Sequence, residues 1–464
     1  MENREKKLLK NTAILTFGTV CTKGILFLIT PIFTRWLSQE EYGMFDLMIT
    51  YISLLLPLIV LNINEAVFRF LIKEENKKNQ IISSALFVTL LGFIISSIVY
   101  FIFILLNTQI KEVATFFILL LFTEAINNFL MMILRGIKKL NLYTLANIIF
   151  VLTMILFAFI FVKILNLKLK GILIGYSFGY IISSIFIIVV AKIYKYIDIK
   201  EIKWSEAKKM ILYAIPLIPN ALSWWIMDTS DRTIVSIFLG ASSNAILAVA
   251  HKIPNICQTI YNVFHLSWQE NASESIEDKD RNEYYTKIFN KMIVTLISCS
   301  VCVLSVNFLI FIFLFEEIYF QAYYQVPILM FSIVFSMMAQ FIGGIYIAQM
   351  KTKKNGVTTL MAALINIVVH AILISKIGIY AATISTLVAY CILFIIRYID
   401  IKKVIDLKIE PKTLQAFIVL IYFIITTYIN CKYINYANII LAILYFGIIN
   451  RHVFLKLIGK MKLK

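Results

Sequence analysis

The chain has 464 residues, of which 61% are hydrophobic and 15% charged, with a formal net charge of +18. Soluble domains are about 45–50% apolar, so this composition excludes a water-soluble globular enzyme and leaves a polytopic membrane protein. The surplus Lys and Arg fall in alternate loops, which argues against a nucleic-acid surface and reads as topogenic charge.

The polar, basic stretch Met1–Lys10 runs straight into an apolar segment with no small-residue cleavage site, so an uncleaved anchor is expected. A membrane-spanning helix needs about 20 mostly apolar residues. Six stretches qualify in the first half: Asn11–Thr34, Met44–Asn62, Ile81–Leu106, Val113–Leu134, Leu142–Leu165 and Gly171–Ala191. After a basic linker come six more: Ile211–Leu239, Ser243–Trp268, Met292–Phe315, Val326–Met350, Val357–Ser375 and Ile379–Ile396. A second polar linker ends at Lys412, and Thr413–Asn430 and Tyr436–Ile449 complete the set. The expected fold is all-α with 14 transmembrane helices: two six-helix lobes around a central cavity, plus two extra helices. The expected divisions are an N-lobe (1–191), a cytoplasmic linker (192–209), a C-lobe (210–397), a second linker (398–412), and the last helices with a basic tail (413–464).

Placing the N-terminus in the cytoplasm puts about 34 of the 44 Lys and Arg on that side, about seven opposite and three within spans. Short cytoplasmic loops are rich in Lys and Arg, so both termini are expected to be cytoplasmic. Both lobes start from the same side, so a repeat between them would be parallel. Span two carries Pro57 and span eight Pro254, which is slender support for one.

Charges inside spans are costly, about 2.5–3.5 kcal/mol each on insertion scales, and usually face protein or a wet cavity. In span one, Thr12, Thr16, Thr19, Lys23, Thr30 and Thr34 share a helix face, read here as lining a cavity. In span seven, Asn220, Trp224, Asp228 and Asp231 lie on one face, and Pro216 and Pro219 should bend the helix. Asp228 and Arg232 are four apart and suit a pair, which leaves Asp231 over. Span eight aligns Lys252, Asn255, Thr259 and Asn262, with His251, Gln258 and His265 nearby. That density of hydrogen-bonding groups beside a Lys suits a hydroxyl-rich ligand with an anionic group. Weaker sets are Glu65 and Arg69, read as a headgroup ion pair; Glu124 with Asn127 and Asn128, where Glu124 is a candidate proton carrier; and Asp46, Thr50 and Ser53. His370 stands alone in span eleven and reads as a packed histidine. Cys299 and Cys302 form a CxxC without a second Cys or His pair, so packing is expected rather than zinc or redox chemistry. The last two spans lack charges and read as packing or as a greasy wall for a lipid tail.

The stretches 11-NTAILTFG-18, 31-PIFTRWLS-38 and 41-EYGMFD-46 resemble the start of Wzx-type polysaccharide flippases, members of the multidrug/oligosaccharidyl-lipid/polysaccharide (MOP) exporter superfamily. The segments 213-YAIPLIP-219, Asp231-Arg232, 252-KIPN-255 and 267-SWQEN-271 are similar to that family's central region. The resemblance implies a cationic cavity, alternating access, and a polyprenyl-pyrophosphate-linked oligosaccharide moved to the outer leaflet of a bacterial inner membrane. Lipid II flippases of the superfamily place cavity cations in spans one, two and eight; Lys23 and Lys252 match by span, but Arg69 sits at the inner end of span two.

A pyrophosphate needs cations, here Lys23, Lys252 and Arg232. Sugars need aromatic and amide partners, for which Trp224, Asn220, Asn255 and Asn262 are the candidates, with Trp225 and Trp268 in reserve. Asp231, Asp228 and Glu124 are candidates for gating or for a coupling ion, a proton or sodium. No cofactor, metal or nucleic acid is expected. Membrane lipid and a polysaccharide polymerase are the remaining candidate partners. The rival readings are a multidrug cation antiporter on the same fold, disfavoured by basic residues at mid-depth, and a membrane glycosyltransferase, polymerase or ligase, disfavoured by short outer loops.

Overall fold

The computed structural model describes residues 22–106 and 111–461. Among these, regular structure is entirely helical, as the apolar periodicity requires. The helices are α1 (residues 22–36), α2 (Gln39–Ile59), α3 (Ile63–Lys73), α4 (Lys78–Leu106), α5 (Lys111–Gly136), α6 (Leu140–Ala158), α7 (Lys168–Val190), α8 (Trp204–Ala214), α9 (Ile218–Leu239), α10 (Ala241–Glu274), α11 (Arg281–Leu314), α12 (Gln321–Ala348), α13 (Thr352–Ile377), α14 (Tyr380–Ile401), α15 (Pro411–Ile429) and α16 (Lys432–Met461).

Among the described residues, 12 helical segments are long and apolar enough to cross a membrane. They account for every expected span but two. Residues 11–21 of the first expected span lie outside the described residues, and the helix that remains, α1, is too short by itself to cross. The eighth is α10, whose 34 residues are ample in length, but its Lys, His and amide side chains keep it out of the apolar set.

The chain forms two compact units, Met1–Trp225 and Ile226–Lys464. In the first, α7 packs most extensively on α6 and α5, and α3 packs on α5. The α6–α7 approach is close: a Cβ on Gly175 would come within 2.7 Å of the Ala158 amide nitrogen. In the second, α12 is central and packs on α10 and α14; α13 packs on α14, while α11 carries α15 and α16.

Local chemistry sets the breaks. Ser38 caps α2 in a capping box with Glu41. Leu61 and Asn62 take left-handed φ angles of 49° and 53°, which ends span two and starts the short helix α3. Glu65 and Arg69 both lie exposed on α3, a separate amphipathic helix rather than the tail of the span. Pro216 falls in a single 3-10 turn, Ile215–Leu217, that separates α8 from α9, so span seven is interrupted where its prolines were expected to act. Arg397, counted from sequence among the loop cations, lies inside α14 and is 1% exposed. It is held by donating to Ala339 O (2.8 Å), Asn355 O (3.1 Å), Thr358 Oγ1 (3.0 Å) and Thr359 Oγ1 (2.9 Å).

Both linkers are pinned by buried side chains. Ser83 and Ser84, near the start of α4, accept from the amides of Asp198 (2.9 Å) and Lys203 (3.0 Å). Asn290, near the start of α11, donates to Lys408 O (2.7 Å) and accepts from the Glu410 amide (2.8 Å) and Thr413 Oγ1 (2.6 Å). In the six-plus-six order these are corresponding places: the third span of each set holds the segment that follows its sixth.

Candidate functional site

Within the second unit, α9, α10, α12 and α14 enclose a polar cavity of about 240 Å³. Its lining includes Asp228 and Arg232 from α9, His251, Asn255 and Gln258 from α10, Ser332 from α12, and Thr386 and Tyr390 from α14. Asp228 accepts a hydrogen bond from Tyr390 Oη at 2.5 Å, and Arg232 lies within its electrostatic reach. The sequence offered Arg232 as the partner of Asp228; the structure adds the Tyr390 phenol.

Asp231 lies deeper, 2% exposed. One carboxylate oxygen is 3.0 Å from His370 Nδ1, and the other accepts from Thr386 Oγ1 at 2.5 Å. Asn366 donates to the same Thr386 oxygen at 3.4 Å. His370 is fully buried, and its Nε2 finds no partner among the described residues. The reading of His370 as an isolated packing residue is therefore overturned: it is the partner of the leftover aspartate. The signal was present as pairs four apart in apolar helices, Asn366 with His370 and Thr386 with Tyr390. What sequence lacked was the knowledge that α9, α13 and α14 meet.

The two faces of α10 divide the work. Tyr261, His265 and Trp268 lie on one side and bond to the backbone of α12: Tyr261 Oη donates to Met337 O (2.8 Å), His265 Nε2 is 3.0 Å from Gln340 O, and Trp268 Nε1 donates to Phe341 O (2.8 Å). Trp268 also stacks on Phe341 with ring centroids 3.9 Å apart and is 2% exposed. It is a packing anchor and has no face left for a sugar. On the other side lie Lys252, Asn255, Thr259 and Asn262, with Asn255 and Asn262 exposed and Gln258 donating to Asn262 at 2.8 Å.

In the first unit, Glu124 on α5 shares hydrogen bonds with Tyr180 and Asn128, and Lys23 lies within its electrostatic reach. Asn127 donates to Ser184 at 3.2 Å. Lys23 is exposed on α1. Its expected helix face is only partly open. Thr30 and Thr34 are buried and donate to carbonyls of their own helix, Leu26 O (2.9 Å) and Pro31 O (3.0 Å), so they pack and do not line a cavity; Thr12, Thr16 and Thr19 lie outside the described residues. Asn220 is exposed and Trp224 half-buried on α9. Trp225 is tied by its Nε1, which donates to Thr50 O at 2.9 Å. Asp46 and Thr50 are buried, with Thr50 bonded to the Asp46 carbonyl at 2.9 Å. Cys299 and Cys302 are free thiols on α11.

Residues 8–268 match the family described as polysaccharide biosynthesis protein. A curated relative, an uncharacterized membrane protein of Methanocaldococcus jannaschii, is 22% identical over 91% of this chain and 90% of its own length. Among solved structures, the fold is similar to a MOP superfamily transporter from Pyrococcus furiosus, whose reverse-polarity binding pocket was taken to suggest a different function (TM-score 0.59, 16% identity, 85% of this chain and 96% of that one). It is also similar to a multidrug resistance MATE family transporter in an outward-facing conformation (TM-score 0.59, 16% identity, 85% and 96%). A eukaryotic MATE transporter aligns at TM-score 0.57 and 13% identity over 89% of this chain and 98% of that one. The family match covers more than half of the sequence, and the long-helix architecture agrees with it: the chain belongs to the polysaccharide biosynthesis protein family, and its multi-helix fold is that of the MOP superfamily structures.

Proposed function

We propose that this protein flips a polyprenyl-pyrophosphate-linked oligosaccharide from the cytoplasmic to the outer leaflet of the cytoplasmic membrane by alternating access. The observation that carries the reading is the open face of α10. Lys252 shares it with Asn255 and Asn262, both exposed, while the other face is consumed by packing on α12. A cation beside amides suits a phosphorylated glycan and is a poor surface for a cationic drug. In this reading Lys23, Lys252 and Arg232 hold the pyrophosphate, and Asn220, Trp224, Asn255 and Asn262 contact sugar. Asp231 is closed in by His370 and Thr386 and sits outside the cavity that Arg232 and Asn255 line, which favours a coupling or gating role for it, with Asp228 beside it. Glu124 is the corresponding candidate in the first unit.

The test is reconstitution in vesicles with a fluorescent lipid-linked oligosaccharide and, separately, a cationic dye. Protein-dependent exchange of the glycolipid between leaflets, lowered by Lys252→Ala, is expected. Dye extrusion without glycolipid exchange would support the antiporter reading instead, and a change in the glycan's mass would support an enzyme.

A further inference from the structure

A second polar cavity lies well away in sequence from the residues above. It measures about 650 Å³ and is walled by α11, α15 and α16. Four cations line it, Lys287, Lys291, Lys412 and Arg451, with one carboxylate, Glu410. The lining is graded by depth. The α11 and α15 helices begin toward this end and α16 runs toward its own end here: Lys412 stands in the first turn of α15, Lys287 and Lys291 in the second and third turns of α11, and Arg451 about two thirds of the way along α16. Val294 on α11, Val419 on α15 and Tyr445 on α16 lie further in than the cations of their own helices; at 1.5 Å of rise per residue Val294 is about 10 Å inward of Lys287 and about 4.5 Å inward of Lys291. The cavity therefore has a cationic mouth and an apolar floor.

Its walls are fixed by buried polar ties. Asn290 holds the start of α15 through the Glu410 amide and Thr413 Oγ1. Asn450 on α16 donates to Ser298 Oγ on α11 at 3.1 Å. The lysines themselves are exposed and are not needed for that framework. Three helices tied in this way keep the mouth open without a ligand, so binding does not have to pay for assembly.

We propose that this cavity binds an anionic phospholipid, with the phosphate headgroup at Lys287, Lys291, Lys412 and Arg451 and the first carbons of its acyl chains against Val294, Ala416, Val419 and Ile449. Charge selects the occupant: the lining carries four cations against one carboxylate, and it sits on the basic side of the membrane. Basic pockets between transmembrane helices on that side recognise anionic headgroups. A zwitterionic lipid would satisfy the apolar floor but not the mouth. The inference requires only that the protein is membrane-embedded and is independent of what it transports.

Native mass spectrometry of the full-length protein from nanodiscs tests it, using phosphatidylcholine alone or doped with phosphatidylglycerol or cardiolipin. Retained anionic-lipid adducts are expected, weakened more than about tenfold in Lys287→Ala/Lys291→Ala/Lys412→Ala and largely restored by the triple Arg variant. Thermal unfolding in detergent should be unchanged, because these side chains are exposed. Equal retention of phosphatidylcholine, or adducts undiminished in the triple Ala variant, would overturn the proposal. Inorganic phosphate is the control for headgroup chemistry alone: full displacement of bound lipid by millimolar phosphate would contradict the role given to the chains. Because no transport is measured, the outcome stands apart from the success or failure of the flippase reading.

Discussion

A carboxylate at 2% exposure in a membrane protein is tolerable only if its charge is compensated or its proton retained. Asp231 has partners at hand, an imidazole at 3.0 Å and a threonine hydroxyl that donates to it at 2.5 Å. These bonds tie α9 to α13 and α14, so a change at Asp231 reaches three helices at once, which suits a gating or coupling site. Asp231→Asn is expected to abolish gradient-driven flipping in reconstituted vesicles while passive exchange persists; unchanged gradient-driven rates would remove Asp231 from coupling. His370→Gln keeps a hydrogen-bonding side chain beside Asp231 and should lower gradient-driven transport less than Asp231→Asn; an equal loss in both would contradict the ranking. For Lys23 and Lys252, replacement by Ala should abolish surface glycan with protein still in the membrane, and Arg should restore part of the activity. Normal glycan export in both Ala variants would end the cation assignment.

At the scale of the element, α10 shows how one helix serves packing and function at once. Residues 261, 265 and 268 centre about 130° around the helix from 252, 255, 259 and 262, a consequence of 100° per residue. The packing side depends on Gly344 of α12, where an added Cβ would come within 2.8 Å of the Trp268 ring. Trp268 is stacked and hydrogen-bonded and cannot move aside cheaply. Gly344→Ala should therefore destabilise the second unit by about 1–3 kcal/mol, read as a lower unfolding midpoint in detergent. A midpoint equal to wild type would show that the α10–α12 contact is looser than drawn. The α14 helix carries a comparable stripe, in which Thr386, Tyr390 and Arg397 share a face and each meets a partner on another helix.

At the scale of the whole molecule, the distribution of 44 Lys and Arg argues for cytoplasmic termini, and α10 offers the sharpest test. Its 34 residues extend about 50 Å at 1.5 Å per residue, more than a hydrocarbon core of about 30 Å. Topology reporters fused after Ser242 and after Ser275 should read outside and inside respectively, and the reverse would overturn the orientation. Each linker is pinned to the third span of its own set, by Ser83 and Ser84 in one case and Asn290 in the other.

The sequence alone determined the class, the helical content, most of the span positions and the interruption at Pro216, because apolar length, charge placement and proline act within one helix. It also marked the polar faces of α9 and α10, since helical periodicity places residues three and four apart together. It could not determine which faces meet. His370 read as solitary because its partner is 139 positions away. Trp268 read as a sugar platform because nothing local distinguishes a buried tryptophan from an exposed one. Arg397 read as a loop cation because its acceptors, Ala339 and Asn355 among them, lie on two other helices. These decisions rest on helix-to-helix contacts, which only the tertiary structure supplies.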